Sequence, residues 1–145
     1  MVAHPVSTNL MSVLHPFDPS GSFIVSLNVL LVEDDVFLRS VMAEAITILG
    51  LVVTDCPSAD QALNALEGLE PFSLVITDVR MPGRLNGLDL AQAIWSRWPE
   101  VPVIIMSANT VLGPGFLPSN AKFLTKPVHL SSLHGAIAEL LPEAD

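Results

Sequence analysis

The sequence predicts a three-layer α/β/α sandwich built on a parallel sheet of about five strands. Two observations carry that prediction. From residue 27 onward, short uninterrupted apolar runs alternate with segments of helical apolar spacing, and uninterrupted runs are what a sheet needs when helices cover both of its faces. Polar residues also collect where the runs end: Glu33 and Asp34 after the first, Asp78 after the third, Ser107 after the fourth and Lys126 after the fifth. In open parallel sheets a site lies beyond the carboxyl ends of the strands, near the switch in strand order.

The elements follow in sequence. Residues 29–32 form an apolar strand, and Phe37, Val41, Ala45 and Ile48 then recur on one helical face until Gly50 supplies a stop. Residues 51–53 read as a short β-branched strand. Ser58 or Asp60 caps a helix that covers Ala62, Leu63 and Leu66, and Pro71 breaks the chain before a strand at residues 74–77. Leu88, Ala91, Ile94 or Trp95, and Trp98 mark a third helix that Pro99 ends. A fourth strand covers residues 101–106 with Pro102 near its start, and a fifth covers residues 122–125. Leu130, Leu133, Ile137 and Leu140 mark the last helix. Between Ser107 and Lys126, residues 109–118 carry two prolines and two glycines, a costly composition for a helix interior, so a loop or a single turn is predicted there.

A chain of 145 residues suits one domain with a proper core, residues 27–145, preceded by a flexible or loosely packed extension at residues 1–26. The extension holds three Xaa-Pro pairs and lacks the basic start and compact apolar stretch of a secretory signal. No apolar run approaches the roughly 18 residues that span a bilayer, which argues against membrane insertion. With 6 Lys+Arg against 15 Asp+Glu, the formal charge of −9 repels nucleic-acid phosphates, so direct nucleic-acid binding is not expected. The lone Cys56 has no partner for an internal disulfide, which fits a reducing, cytoplasmic setting.

Taken singly, the strand-end residues have ordinary explanations: an aspartate caps a helix, a serine satisfies a backbone group, a lysine pairs with an acid. Together they describe a chemistry. Converging carboxylates repel one another unless a cation or a shared proton intervenes, and an oxygen-lined site that leaves room for water and phosphate suits Mg²⁺. Asp78 would then attack as nucleophile and become an aspartyl phosphate. Asp34 and Asp78 would hold the metal directly, Glu33 would act through metal-bound water, and the Arg80 carbonyl would supply a further ligand. Lys126 would neutralise the phosphoryl oxygens, and the Ser107 hydroxyl would donate to one of them.

Four stretches carry a resemblance: residues 29–35, Val-Leu-Leu-Val-Glu-Asp-Asp; residues 77–83, Thr-Asp-Val-Arg-Met-Pro-Gly, with Gly87; Met106-Ser107-Ala108; and residues 123–127, Phe-Leu-Thr-Lys-Pro. In this order on successive strand ends, they make the chain resemble the CheY-like response-regulator receiver domains of two-component signalling, over residues 27–141. The resemblance implies flavodoxin-like strand order 2-1-3-4-5. It implies Glu33 and Asp34 as the acidic pair, with Asp35 a less committed third acid, and Asp78 as the phosphorylation site. Ser107 and Phe123 are implied as switch residues, and Lys126 as the family lysine, followed by a cis bond to Pro127. Two departures stand out. The loop before Gly87 is one residue longer than the commonest form, and the segment from Ser107 to Phe123 replaces the usual helix four. Shortened forms of this kind resemble stand-alone receivers and those associated with sensor kinases.

The expected function is therefore a phosphoacceptor switch or phosphorelay protein. Its phosphodonor would be a sensor histidine kinase or histidine phosphotransfer protein, or a small phosphodonor. Its enzymatic character would be limited to Mg²⁺-dependent self-phosphorylation and hydrolysis of the aspartyl phosphate. Nothing follows the last helix, so output is expected through a docked protein, and the resemblance also allows a receiver homodimer. The alternative is a phosphorylation-independent adaptor that keeps the scaffold for protein binding, motivated by the altered segment after Ser107. A hydrolase or dinucleotide enzyme is disfavoured: there is no G-x-S-x-G elbow, and the first strand opens on acids rather than a glycine-rich loop.

Overall fold

The computed structural model of the chain describes residues 27–141, so the extension expected at residues 1–26 lies outside the described residues. Five strands form one sheet: β1 (Asn28–Val32), β2 (Val52–Cys56), β3 (Leu74–Asp78), β4 (Val103–Ser107) and β5 (Ala121–Thr125). Their order is β2-β1-β3-β4-β5, and every ladder is parallel. Helices α1 (Val36–Thr47), α2 (Ala59–Leu66), α3 (Gly87–Arg97) and α4 (Leu130–Leu140) cover the sheet. This is the three-layer architecture and strand order expected from the sequence.

Successive strand residues point to opposite faces, so each uninterrupted apolar run feeds two cores. Val29, Leu31, Ile76 and Met106 meet Met42 and Ile46 of α1 and Leu133 and Ile137 of α4. Leu30, Val32, Val75 and Ile105 meet Ala62 and Leu66 of α2 and Leu90 and Ile94 of α3. Burying each Leu, Ile or Val contributes roughly 1.5–3 kcal/mol. Strands β1, β3 and β4 are buried along their whole length and hold the sheet together, whereas the edge strand β2 is half-exposed.

Helix α1 faces the core differently from the sequence expectation. Of Phe37, Val41, Ala45 and Ile48, only Ala45 is buried; Phe37 is 76% exposed and Ile48 75%. The buried stripe is Met42, Ala45 and Ile46, with Leu38 packed beside it. Both stripes are apolar, so spacing alone offers two faces. Glu44 shares the side of Phe37, Val41 and Ile48, and turning that side inward would bury an unpaired carboxylate.

Other expectations shift by small amounts. Strand β2 starts one residue later and runs on to Cys56, because all five of its residues pair with β1. Strand β4 begins after Pro102, whose missing N–H does not then interrupt a ladder. Asp78 and Ser107 are the last residues of their strands rather than the first of the loops. Ser58, not Asp60, caps α2, its Oγ accepting the Gln61 N–H at 3.2 Å. In α3 the fully buried leucine is Leu90 rather than Leu88, and Leu130 of α4 is exposed. Gly50 turns the chain after α1 with φ at +87°, as predicted.

No helix forms between β4 and β5, in agreement with the proline and glycine content of that segment. Its Phe116 packs edge-on against Trp95 of α3, with ring centroids 5.6 Å apart. Cys56 ends β2 half-buried, and burial pushes its thiol up to about 11. No helix among the described residues is long and apolar enough to cross a membrane.

Candidate functional site

Sheet register brings the strand-end residues together. Val32 lies opposite Thr77, so the next residues, Glu33 and Asp78, emerge side by side. Asp78 lies opposite Met106, and Ser107 opposite Thr125, which sets Lys126 at the same edge. Carboxylate oxygens of Glu33, Asp34 and Asp78 all lie within 4.8 Å of one another. Glu33 and Asp78 are buried and Asp34 is exposed, giving the cluster a closed floor and an open mouth. From β5, Lys126 Nζ reaches Asp78 Oδ2 at 2.7 Å and Glu33 Oε1 at 3.4 Å.

The remaining carboxylate oxygens are held by backbone. Asp78 Oδ1 accepts the Val79 N–H at 2.9 Å, and Glu33 Oε2 accepts the Asp35 N–H at 3.1 Å. Burial pushes the Glu33 carboxyl above its ordinary value; the Asp35 N–H and Lys126 oppose that shift, while the Asp78 charge and a contact with Asp34 reinforce it. Burial pulls the Lys126 ammonium down, but the hydrogen bond and charge of Asp78, together with Glu33, outweigh it and leave the group above its ordinary value. The peptide bond between Lys126 and Pro127 is cis.

Other residues singled out in the sequence take distinct places. Asp35 turns away from the cluster to cap α1, its Oδ1 accepting the Leu38 N–H at 2.9 Å. Arg80 lines the open mouth, a cavity of about 620 Å³ shared with Asp34, Asn86, Asn109 and Thr110. Ser107 is buried, and its hydroxyl donates to Thr110 Oγ1 at 2.7 Å rather than to a carboxylate. Phe123 is half-buried against the α2–α3 core and lines a second cavity with Thr110 and Phe116.

The sequence marked Gly87 by resemblance alone, without its physical reason, and left other supports of this site unread. A β-carbon on Gly87 would stand 1.8 Å from the Asp78 carbonyl oxygen, so only glycine lets α3 begin against the end of β3. Asn86 and Asp89 form a reciprocal capping box that fixes the start of α3; the Asn-x-x-Asp pattern was the available signal. Asp60 Oδ2 accepts the Arg84 N–H at 2.9 Å and pins the long loop after β3. Thr110 carried no signal beyond its position three residues after Ser107.

Three carboxylates with a neighbouring ammonium offer a hard, all-oxygen donor set, the chemistry that suits a divalent cation of the Mg²⁺ or Ca²⁺ kind. With that geometry established, comparison with known proteins is decisive: the pattern of the response regulator receiver domain matches residues 29–138. The chain belongs to the response-regulator receiver family.

This receiver is 35% identical over 117 residues to the response regulator protein FleR of Pseudomonas aeruginosa, a match covering 79% of the chain but 24% of FleR. It is 34% identical over 116 residues to the receiver protein CpdR of Brucella abortus, covering 78% of the chain and 95% of CpdR. The chain thus spans about a quarter of the first relative and nearly all of the second. Among solved structures, a receiver protein from Sinorhizobium medicae shares the fold with a TM-score of 0.75 at 24% identity, covering 83% of this chain and 98% of that one. The non-phosphorylated HemR receiver domain from Leptospira biflexa superposes with a TM-score of 0.69 at 29% identity, covering 79% and 94%. In this receiver Glu33, Asp34 and Asp78 form an acidic triad of the kind typical of a receiver-domain phosphoacceptor site.

Proposed function

We propose that this receiver accepts a phosphoryl group on Asp78 from a sensor histidine kinase or histidine phosphotransfer protein and signals in the cytoplasm through protein partners. The single observation that carries the reading is the Asp78 carboxylate: buried, 2.7 Å from Lys126 Nζ, and within reach of two further carboxylates. An Asp78 oxygen attacks the phosphorus of a phosphohistidine, the P–N bond breaks, and the electron pair leaves on the imidazole. When bound, Mg²⁺ would be held by Asp34, Asp78 and the Arg80 carbonyl, with Glu33 acting through water, and would neutralise charge on the phosphoryl oxygens. Lys126 turns its ammonium to the same oxygens. Ser107 donates its hydroxyl to one of them, and Phe123 shifts with it. Attack of water on the aspartyl phosphate resets the protein, which is the extent of its enzymatic activity.

An apolar groove of about 610 Å³ between α1 and α4 opens beside Lys126, and its lining includes the exposed Val41 and Leu130. Such a groove offers a protein partner contact area next to the acceptor, which favours a protein phosphodonor over a small one.

The test is addition of beryllofluoride, a phosphoryl mimic, with Mg²⁺, read by tryptophan fluorescence. The wild type should respond and Asp78→Asn should not; an unresponsive wild type overturns the proposal. The helix-less segment at residues 108–120 favours one competing reading, an adaptor that works without phosphorylation. That reading requires Asp78→Ala to keep full partner binding and biological effect.

A further inference from the structure

The Ser107 hydroxyl has one proton, and in this structure it is spent on Thr110. Ser107 Oγ donates to Thr110 Oγ1 at 2.7 Å and accepts the N–H groups of Thr110 at 3.2 Å and Asn109 at 3.3 Å. The serine is 4% exposed, so water does not readily replace a lost partner. Thr110 also borders two spaces at once: the open mouth above the acid cluster, with Asp34 and Arg80, and the cavity that holds Phe116 and Phe123.

The segment that begins here has few other attachments. The backbone of residues 108–118 takes part in two backbone–backbone hydrogen bonds, from the Phe116 N–H to the Gly113 carbonyl at 3.1 Å and, at the far end, from the Ala121 N–H to the Pro118 carbonyl at 3.1 Å. Val111, directly after Thr110, is 94% exposed. The next firm contact is Phe116 against Trp95. The Ser107–Thr110 contacts are therefore the clasp that holds the near end of the segment, and the aromatic pair holds its middle.

We infer that Thr110 is the resting acceptor of the Ser107 proton and that phosphoryl transfer to Asp78 opens this clasp, freeing the near end of the segment at residues 108–118. The inference rests on the phosphoacceptor reading above and adds the regulation of that site. A phosphoryl oxygen and Thr110 Oγ1 compete for a single proton, so one contact forms only as the other breaks. Rotation of Ser107 toward the phosphoryl group also withdraws the oxygen that the Asn109 and Thr110 N–H groups use, and those residues must move to find new partners. Thr110 touches no reacting atom; it is a positioning residue that sets how readily Ser107 turns to the site. In this receiver the segment that stands in place of a helix is thereby coupled to the acceptor through the hydrogen bonds of one side chain, Ser107.

The test is a double-mutant cycle on beryllofluoride affinity with Mg²⁺ present, followed by tryptophan fluorescence. Thr110→Val keeps the side-chain shape and removes the acceptor, and it should bind beryllofluoride about five-fold tighter than wild type, the size of one modest hydrogen bond. The same change made in Ser107→Ala should leave affinity unaltered. Thr110→Ser, which keeps the hydroxyl, should match wild type and covers the case in which the valine variant fails to fold. Equal affinities for wild type and Thr110→Val, a shift that persists in Ser107→Ala, or a Thr110→Ser that behaves like the valine variant would overturn the inference while leaving the function intact. A wild type that ignores beryllofluoride overturns the function and this inference with it.

Discussion

The Lys126 ammonium lies 2.7 Å from Asp78 Oδ2, although Lys126 follows β5 and Asp78 ends β3, with β4 between the two strands. Both side chains leave the same sheet edge, and the lysine reaches over the end of β4. Its second contact, with Glu33 at 3.4 Å, makes it the one side-chain cation among the described residues that pairs with both buried acids. Removing it leaves those acids unpaired. Lys126→Met should lower stability at pH 7 by about 2 kcal/mol in chelator, below the full cost of breaking a buried pair because Nζ is partly exposed. The lysine value is raised in the folded state, so its contribution is complete below 10.5 and is lost as pH climbs through the higher folded-state value. Urea denaturation at pH 7 measures the difference; matching midpoints would show that the pair contributes nothing.

Glu33 should make the metal-free protein less stable as pH rises. Its carboxyl is raised above 4.5 by burial, so between 4.5 and its folded value the native state binds more protons than the unfolded chain. Stability contributed by this group is therefore full at the acid end of that window and falls as pH increases across it. Glu33→Gln should remove this fall and be relatively more stable at neutral pH. Paired urea curves in chelator from pH 4 to 8 give the comparison, and parallel profiles would count against it.

Magnesium should relieve the repulsion within the triad. Ligand at ten times its Kd stabilises the folded state by about 1.4 kcal/mol, which for a domain of this size is a rise in Tm of about 5 °C. Asp34→Ala should start from a higher metal-free Tm, because one carboxylate has gone, and should gain little on adding Mg²⁺. A wild-type melting curve that stays put throughout a millimolar titration rejects the metal site.

Two glycine substitutions should differ sharply. A β-carbon on Gly87 meets backbone, the Asp78 carbonyl carbon at 2.7 Å and Val79 Cα at 2.9 Å, and neither can swing aside. Gly87→Ala should cost about 3 kcal/mol and disturb the acceptor. Gly50 has open space around it and only a positive φ to satisfy, so Gly50→Ala should cost about 1 kcal/mol and leave beryllofluoride binding unchanged. Comparable losses from the two would refute the steric account of Gly87.

Much of the site was legible in the sequence because parallel sheets place their strand ends on one edge. Glu33, Asp34, Asp78, Ser107 and Lys126 each follow or end an apolar run, and the register brings four of them into contact: the three acids and the lysine. Ser107 reaches the same edge but turns its hydroxyl to Thr110. That choice depends on a loop conformation with no periodicity to betray it. Asp35 looked like a third acid of the cluster and proved to be a helix cap, since a side chain one residue before a helix can fold back onto its N–H groups.

The architecture, the segment without a helix and the residues that share the carboxyl edge follow from local patterns, because apolar runs, prolines and glycines act locally and leave little choice. Three features came from packing instead: which stripe of α1 is buried, what the Ser107 hydroxyl bonds and why residue 87 must lack a side chain. Helix α1 is apolar on two sides, and the buried Met42 and Ile46 are selected over Phe37 and Ile48 only once the sheet and the exposed Glu44 are in place. Gly87 is constrained by a backbone atom nine residues earlier in the chain, a distance that becomes contact only when α3 packs against the end of β3.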